Sequence, residues 1–336
     1  MDTSAFQTTS ACSKRFPISL SGSAYTIIVH HRDENQMRIL CLGMSAHDCV
    51  YQVDTIPTTP TKILATGYAE CGGGMAANAS VAIARLGAEA HYWGRVGDDL
   101  LGDRIVGELA GEGVVTRNVR RLRGVVSPSA AILVDAAGER LVCAYNDPAL
   151  DHGIGWLPLR EVAGFDAVLA DVRWPEGSAA VFDAARAAGK PSVLDGDIGP
   201  RDVLLELAAR VTHAVFSTPG LARATGTVDP IDGLRAMAAR GLPGVMGVTL
   251  GAAGFAWIDA YGEIRRAAAP PVQAVDTLAA GDVFHGALTL ALAEGRSLGD
   301  AAAFANAAAA IKCARFGGRR GAPARSEVNA LLAAQR

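Results

Sequence analysis

The stretch RILCLGMSAHD (residues 38–48) joins a short apolar run to the polar residues that follow it. The apolar part has the length of one buried strand, and Gly43 marks the point where such a strand would end. Asp48 then stands just beyond it. We therefore predict that the first core strand of a folded domain begins here, with a candidate ligand-binding carboxylate after it.

From residue 38 onward, similar apolar runs alternate with alanine-rich segments that have helical character. The further runs are AHYWGRVG (90–97), AVLADV (167–172), PSVLDGD (191–197), HAVFST (213–218) and GVMGVTLG (244–251). This alternation predicts an α/β fold with a mainly parallel sheet covered by helices on both faces. Ligands of such sheets bind beyond the carboxyl ends of the strands.

Two segments, about 50–70 and 127–147, interrupt this alternation with a strand-like period of two, and the second contains a turn at DAAGE (135–139). We interpret them as a small antiparallel β lid over the site. Residues 1–36 are rich in Ser and Thr and lack periodicity. We expect them to be a disordered leader or the product of a start codon placed too early, ahead of a single domain over 37–336.

Composition favours small-molecule chemistry over binding to nucleic acid or membranes. Half of the 336 residues are hydrophobic and the net charge is −3, so no basic surface for polyanions is indicated. The six cysteines form no C-x-x-C pair, which is typical of reduced thiols in a cytoplasmic protein rather than of a zinc site or disulfide framework. No apolar run has the length of a membrane helix.

Two glycine-rich segments could bring the backbone close to a ligand. In CGGGMAANASVAIARLG (71–87), three glycines precede a predicted helix that carries Asn78 about one turn from its start, although a simple tight turn explains the glycines equally well. In VMGVTLGAAG (245–254), Thr249 and Gly251 follow a buried strand, where main-chain N–H groups could face phosphate oxygens.

The segment DTLAAGDVFHGA (276–287) carries the strongest chemical signal. It follows the strand-like PPVQAV (270–275) and opens an apolar helix that we expect to end near Glu294. Small side chains at the helix start leave N–H groups free to bind an anion, and Asp282 lies in the first turn. An acid there also simply favours a helix N-terminus. Together with the anion-binding turn, however, it is what phosphoryl transfer to an alcohol requires.

At these residues the chain resembles the PfkB, or ribokinase-like, family of carbohydrate kinases. The stretch GGGMAANASVAIARLG with GRVGDDLLG is similar to the family's N-terminal signature, and DTLAAGDVFHGA to its C-terminal one. The resemblance runs from about residue 38 to 324. It implies a three-layer α/β/α fold with a β lid that forms a homodimer contact, and it implies a sugar substrate, ATP and Mg²⁺. A requirement for a monovalent cation stays open.

The resemblance also implies roles for individual residues. Asp282 would be the catalytic base, and Ala279, Ala280 and Gly281 would form the anion hole. The sugar and nucleotide positions that match the family are Asp48, Gly73, Gly74 and Asn78 on the sugar side, and Thr249, Gly251, Asn306 and Gly317 on the nucleotide side.

The sequence departs from the family in two places. Ala279 stands where the family usually has glycine. In FSTPGLARATG (216–226), Ser217 and Gly220 replace the two polar residues of an N-x-x-E motif that helps to organise magnesium. We expect Mg²⁺ to arrive with ATP, held largely by phosphates and water, while its protein ligands are unknown.

The segments VLADVRWPEG (168–177) and VLDGDIGPRD (193–202) most resemble the sulfofructose kinase branch. In that branch two cations hold a sulfonate, and Lys62 and Arg173 match them. Asn146 can replace a lid asparagine that is absent at Ala144.

Lys62 could equally be a solvated lid charge, and Arg173 an ion-pair partner of Asp195 or Asp197. The expected substrate is a ketose with an anionic C1 substituent. The alternative is a neutral ketose, as for a fructokinase; a nucleoside kinase or a non-catalytic sensor ranks lower.

Overall fold

The computed structural model describes residues 36–150 and 152–335, together with two strands in the N-terminal segment. The chain divides into two compact units, Met1–Gln36 and Met37–Arg336. In the first unit, β1 (Lys14–Leu20) pairs antiparallel with β2 (Ser23–Val29). The other residues of the expected leader lie outside the described residues, so its disorder or mis-assigned start stays a prediction.

The second unit is built on a large sheet that, within the described residues, has nine strands. Their order is β15-β14-β13-β12-β11-β10-β3-β6-β7. All neighbours are parallel except the first two pairs in this order, β15–β14 and β14–β13. The strands are β3 (Arg38–Gly43), β6 (Glu89–Gly97), β7 (Val119–Leu122), β10 (Ala167–Asp171), β11 (Ser192–Gly196), β12 (His213–Ser217), β13 (Val245–Thr249), β14 (Phe255–Ile258) and β15 (Ile264–Ala267). Each of the six apolar runs in the sequence forms a strand of this sheet, so the predicted α/β fold is confirmed.

Helices cover both faces of the sheet, as the three-layer prediction requires. Along β3, Ile39 and Cys41 belong to one hydrophobic core, whereas Leu40 and Leu42 belong to the other. A strand buried on both faces must be apolar at successive positions, which is why β3 shows no alternation. The helices are α1 (Met75–Arg85), α2 (Leu100–Gly111), α3 (Pro175–Ala187), α4 (Arg201–Ala208), α5 (Thr218–Thr225), α6 (Pro230–Ala238), α7 (Ala280–Ala293), α8 (Leu298–Cys313) and α9 (Arg325–Ala333). Among the described residues, no helix is both long and apolar enough to cross a bilayer.

A smaller four-stranded sheet forms the lid, in the order β5-β4-β8-β9. Its strands are β4 (Ala46–Gln52), β5 (Gly67–Gly73), β8 (Ser129–Val134) and β9 (Arg140–Tyr145). Two antiparallel hairpins lie side by side, and their inner strands β4 and β8 run parallel. The lid is therefore antiparallel within each hairpin and parallel between them. The predicted turn at 135–139 is present, with Gly138 at φ +80°.

Two strand predictions are wrong. Residues 53–66 connect β4 to β5 without forming a strand, and 270–275 form none either. Prolines at positions 57, 60, 270 and 271 lack the N–H that a sheet ladder needs. The N–H of Val275 instead donates to the carbonyl of Cys313 at the end of α8, at 2.7 Å.

Candidate active site

The 276–281 loop turns sharply into α7. Ala279 is the N-cap of this helix and has φ +63°. Among the described residues, no other non-glycine residue has a left-handed backbone. The first N–H groups of a helix have no intrahelical acceptor, so those of Gly281 and Asp282 are available to a ligand. A Cβ added at Gly281 would meet no atom within 4 Å. The loop thus presents N–H donors to open space.

Asp282 lies half-buried beside these donors, and its Oδ2 accepts a hydrogen bond of 2.7 Å from Nδ2 of Asn78 on α1. Burial raises the pKa of Asp282 to about 7, and the nearby Asp195 and Asp197 carboxylates add to the effect. The Asn78 amide and His285 oppose it. A carboxylate with a pKa near neutrality can take a proton from an alcohol and release it again.

His285 lies one turn further along α7 and is buried. Its Nδ1 is 2.7 Å from the carbonyl of Gly281, and its Nε2 is 3.2 Å from that of Val215. Nδ1 also lies 3.5 Å from Oδ2 of Asp195. His285 therefore connects the first turn of α7 to strands β11 and β12.

The predicted sugar-side residues lie together at the start of α1. A Cβ at Gly73 would lie 2.1 Å from Oδ2 of Asp48, and one at Gly74, where φ is +90°, would lie 2.4 Å from the carbonyl of Met44. Only glycine allows these approaches. Asn78 belongs to the same helix, so the structure brings Asp48, both glycines, Asn78 and Asp282 into one continuous site.

Arg319 is a buried residue of this region that the sequence analysis missed. Its Nη2 donates to Oε2 of Glu108 at 3.2 Å, and Gly72 leaves room for its guanidinium. Burial raises the pKa of Asp48 to about 6, while the positive charge of Arg319 lowers it. No local pattern marks Arg319, because its partners are distant in sequence.

A cavity of about 210 Å³ opens next to the sugar-side residues, and Gly43 and Ser45 form part of its wall. Arg95 and Arg173 both line it, as do Asn146 and His152. The NH2 of Arg173 is 3.9 Å from Asp197, too far for a hydrogen bond, and its side chain is 39% exposed. The ion pair considered for Arg173 is thus long, and its guanidinium remains accessible from the cavity.

Arg95 was also missed, although its position near the carboxyl end of β6 offered a signal. It is buried, and its guanidinium carbon lies 3.9 Å from the ring centre of Trp174, which holds it in place. Lys62, by contrast, is exposed in the 53–66 connection and does not line the cavity. The structure therefore pairs Arg173 with Arg95 rather than with Lys62.

The predicted nucleotide-side residues lie at the end of β13, in the middle of α8 and in the loop that follows α8. Thr249 ends β13, and Gly251 follows at φ +57°. Asn306 donates to the carbonyl of Ala267 at 2.8 Å. Gly317 has φ +103°, and its N–H donates to Asp276 at 3.0 Å. The amide nitrogens of Asn306 and Gly317 therefore already have intramolecular acceptors.

The geometry at the altered N-x-x-E motif is that of a helix cap. Ser217 accepts from the N–H of Gly220 at 3.0 Å and donates to Asp197 at 2.8 Å, so it caps α5. Across the described residues, no group of three His, Cys, Asp or Glu side chains could enclose a metal ion. Ser217 and Gly220 supply no carboxylate to a magnesium ion.

The buried carboxylate of Asp276, at the start of the 276–281 loop, is paired with a buried lysine. Nζ of Lys312 lies 3.0 Å from Oδ2 of Asp276 and 2.6 Å from its carbonyl oxygen. The ammonium group already supplies the positive charge there.

Comparison with known proteins agrees with this geometry. The model of the pfkB family carbohydrate kinases matches residues 36–325. The ribokinase of Bacillus subtilis is 30% identical over 301 residues, covering 88% of this chain and all of that protein. The fructokinase of Klebsiella pneumoniae is 29% identical over 261 residues, 72% of this chain and 81% of its own length.

Solved structures are similar over the same region. A chain from Agrobacterium tumefaciens that carries the provisional name ribokinase has 39% identity and a TM-score of 0.86, with 90% of this chain and all of that chain covered. The ribokinase of Arabidopsis thaliana, solved with ribose and ATP, has 26% identity and a TM-score of 0.76, with 88% and 98% covered.

Proposed function

Because the chain belongs to the pfkB family of carbohydrate kinases, an ATP-dependent phosphotransferase family, we propose that Asp282 is its catalytic base and that the 276–281 loop is its anion hole. The observation that carries this proposal is the 2.7 Å hydrogen bond between Asn78 and Asp282. It joins the sugar-side glycine turn to the helix start that presents free N–H groups.

In this proposal, Asp48 and Asn78 orient the sugar so that one hydroxyl lies beside Asp282. The oxygen of that sugar hydroxyl attacks the γ-phosphorus of ATP. The bond between the γ-phosphorus and the β-phosphate oxygen breaks, and ADP leaves. The hydroxyl proton passes to Asp282. The free N–H groups of Gly281 and Asp282 stabilise the charge on the transferring phosphoryl oxygens. The N–H of Ala280 donates to the carbonyl of Thr277, so Ala280 contributes its small side chain rather than a donor. Magnesium, when bound with ATP, neutralises phosphate charge.

A steric test addresses the anion hole. Gly281→Val places a side chain in space that is open, so the fold and its stability should be retained while turnover falls. Release of ADP with the best sugar measures turnover, and thermal unfolding serves as the control. Unchanged turnover of the variant would show that the transferring phosphoryl group does not bind at this loop.

For the substrate, we propose a ketose that carries an anionic C1 substituent, as the sulfofructose kinase branch would require. The support is the cavity that Arg95 and Arg173 line together, since two guanidinium groups can neutralise and orient a sulfonate or phosphate. Asn146, in the same cavity, supplies a polar lid contact. Lys62 does not line the cavity and is therefore left out of this proposal.

Arg173→Ala and Arg95→Ala test this choice. With an anionic ketose, each should lower kcat/KM by the equivalent of about 2–5 kcal/mol, because a charged partner is lost in a partly desolvated pocket. The kcat/KM for fructose and for ribose should fall much less. Arg240→Ala, at an exposed position, is the matched control. Equal losses for charged and neutral sugars would favour the neutral-sugar alternative.

On the nucleotide side, we propose that Thr249 and Gly251 contact the ATP phosphates and that Asn306 and Gly317 shape the adenine end. Thr249 ends the strand β13 and Gly251 follows it, at the edge where a parallel sheet binds ligands. Asn306 and Gly317 would act through the main chain they hold in place. Thr249→Val should raise the Kd for ATP, measured by calorimetry, with little change in stability.

We also propose a homodimer through the lid. Strand β9 is exposed along its whole length, and Leu141, Val142 and Tyr145 present apolar surface on this edge strand. Such edges invite pairing with a second strand. Light scattering of the wild type and of Val142→Glu would test it, because a charge in this face should shift a dimer to monomer.

A further inference from the structure

Lys312 is a wholly buried lysine near the end of α8. Its Nζ is surrounded by three oxygen atoms: the carbonyl of Asp276 at 2.6 Å, Oδ2 of Asp276 at 3.0 Å and the carbonyl of Arg315 at 3.4 Å. Carbonyl and carboxylate oxygens only accept hydrogen bonds. Three such acceptors require three N–H donors, so the group is a charged ammonium.

The partner of this ammonium anchors the proposed anion hole. Oδ1 of Asp276 accepts from the N–H of Leu278 at 2.8 Å. Its Oδ2 accepts from the N–H groups of Gly317 and Gly318 at 3.0 and 2.9 Å. Leu278 directly precedes Ala279, whose left-handed backbone leads into the free N–H groups of Gly281 and Asp282. The Asp276 carboxylate therefore sets the shape of the loop.

A buried carboxylate stays ionised only when a cation compensates its charge. A carboxylate oxygen and two main-chain carbonyls are also the kind of oxygen ligands that an alkali-metal ion takes. Here the ammonium nitrogen occupies that position, and its charge would repel a second cation. The cation is part of the chain itself, tethered through α8.

We propose that Lys312 is a positioning residue for phosphoryl transfer: its ammonium serves as a built-in monovalent cation that holds Asp276 and the 276–281 loop, so that the enzyme needs no added K⁺ or Na⁺. The proposal rests on the proposed role of that loop as the anion hole. Lys312 touches neither sugar nor nucleotide in it and acts through Asp276.

The wild-type enzyme gives the first test. ADP release with the best sugar is measured in buffers whose counter-ion is tetramethylammonium, and K⁺, Na⁺ or NH₄⁺ is then added at constant ionic strength. We expect kcat and the KM for ATP to stay unchanged. Strong activation by K⁺ or NH₄⁺ would overturn the proposal.

Lys312→Ala gives the second test, since it removes the ammonium and leaves space beside Asp276. In tetramethylammonium buffer, kcat should fall by about 10- to 100-fold because the loop is misplaced. K⁺ or ethylammonium should restore part of the loss, which a merely structural lysine would not permit. Lys190→Ala, a lysine distant from these groups in sequence and not fully buried, is the matched control and should need no rescue.

A folded Lys312→Ala protein with wild-type kcat would overturn the positioning role, and a loss that no cation restores would overturn the cation role. If Lys312→Ala does not fold, Lys312→Met replaces it, because methionine keeps most of the side-chain volume without the charge. The addition of cations to the wild-type enzyme then still tests whether it needs K⁺ or Na⁺. Calorimetry of ADP binding with the same ions separates a failure of the Lys312 proposal from a failure of the proposed function, because ADP binding needs no sugar. If the Kd for ADP does not change with the ion and no sugar is phosphorylated, only the proposed function is refuted.

Discussion

Ala279 has the backbone conformation on which the candidate site depends. A left-handed backbone costs a residue with a Cβ roughly 1–2 kcal/mol, which glycine does not pay. The strain is offset by the hydrogen bonds that hold the loop on both sides, among them those of Asp276. Alanine is tolerated here because its side chain is the smallest that carries a Cβ.

Ala279→Gly and Ala279→Val should separate the two demands on this position. The glycine variant should keep its turnover and lie within about 1 kcal/mol of wild-type stability, because relieved strain and added chain entropy oppose each other. The valine variant should lose stability, since β-branched residues are the poorest fit to a left-handed backbone. Denaturant unfolding measures both, and equal stability of Val and Gly would contradict the argument.

Asp282→Asn tests the proton acceptor itself. An amide of nearly the same shape cannot accept the hydroxyl proton, so turnover should fall by about 10²–10⁴-fold while ATP still binds. In the wild type, kcat/KM should decrease as the pH is lowered through about 7, because protonation removes the base. The variant should lack this acid limb. Near wild-type turnover with the best sugar would exclude Asp282 from the role.

Asp171 joins three elements at the carboxyl edge of the sheet. From the end of β10, its carboxylate accepts the N–H of Met44 after β3 at 2.8 Å, that of Ala76 in α1 at 3.1 Å and that of Arg173 at 2.8 Å. Gly43 leaves it room, since a Cβ there would lie 2.2 Å away. The start of α1, and with it Asn78, is thereby held against the sheet.

Asp171→Ala should lower the free energy of unfolding by about 3–5 kcal/mol, because three buried N–H groups lose their acceptor. Asp202→Ala, at an exposed position in the first turn of α4, should change it much less. Urea denaturation of both variants and the wild type measures the difference. Similar midpoints for the two variants would show that α1 is held in place without this carboxylate.

Across the whole molecule, the candidate site concentrates carboxylates whose pKa is raised by burial, among them Asp48, Asp195 and Asp282. Such a group holds its proton in the folded state at pH values where the unfolded chain has lost it. Its contribution to stability is therefore present in acid and lost as the pH rises from about 4 to about 7. These carboxylates therefore make the folded protein less stable near neutral pH than in acid.

Comparison of thermal unfolding at pH 5 and pH 8 should reveal this cost. Asp282→Asn removes one titrating group, so its melting temperature relative to wild type should be higher at pH 8 than at pH 5. Asp202→Asn should show the same difference from wild type at both pH values. Histidines that lie away from Asp282 contribute equally to each protein and cancel in the comparison. A pH-independent difference for Asp282→Asn would mean that its pKa is not raised.

The sequence by itself determined the layer architecture, because strands buried on both faces must be continuous apolar runs that local inspection can find. It also determined the small-residue turn before α7, since Ala279, Ala280 and Gly281 are consecutive in the chain and local inspection finds them. It failed at residues 53–66 and 270–275, where apolar content indicated strands but prolines removed the ladder donors. It also could not show that the lid's two hairpins meet along parallel strands.

Only the tertiary structure decided which side chains meet. Asn78 and Asp282 are 204 positions apart, and Lys312 lies 36 positions from Asp276. Arg95 reaches the cavity through the order of strands in the sheet, whereas Lys62 remains in an exposed connection. A local pattern reports how each segment buries its own apolar surface. The partner of a buried charge is set by long-range packing, and no spacing along the chain encodes it.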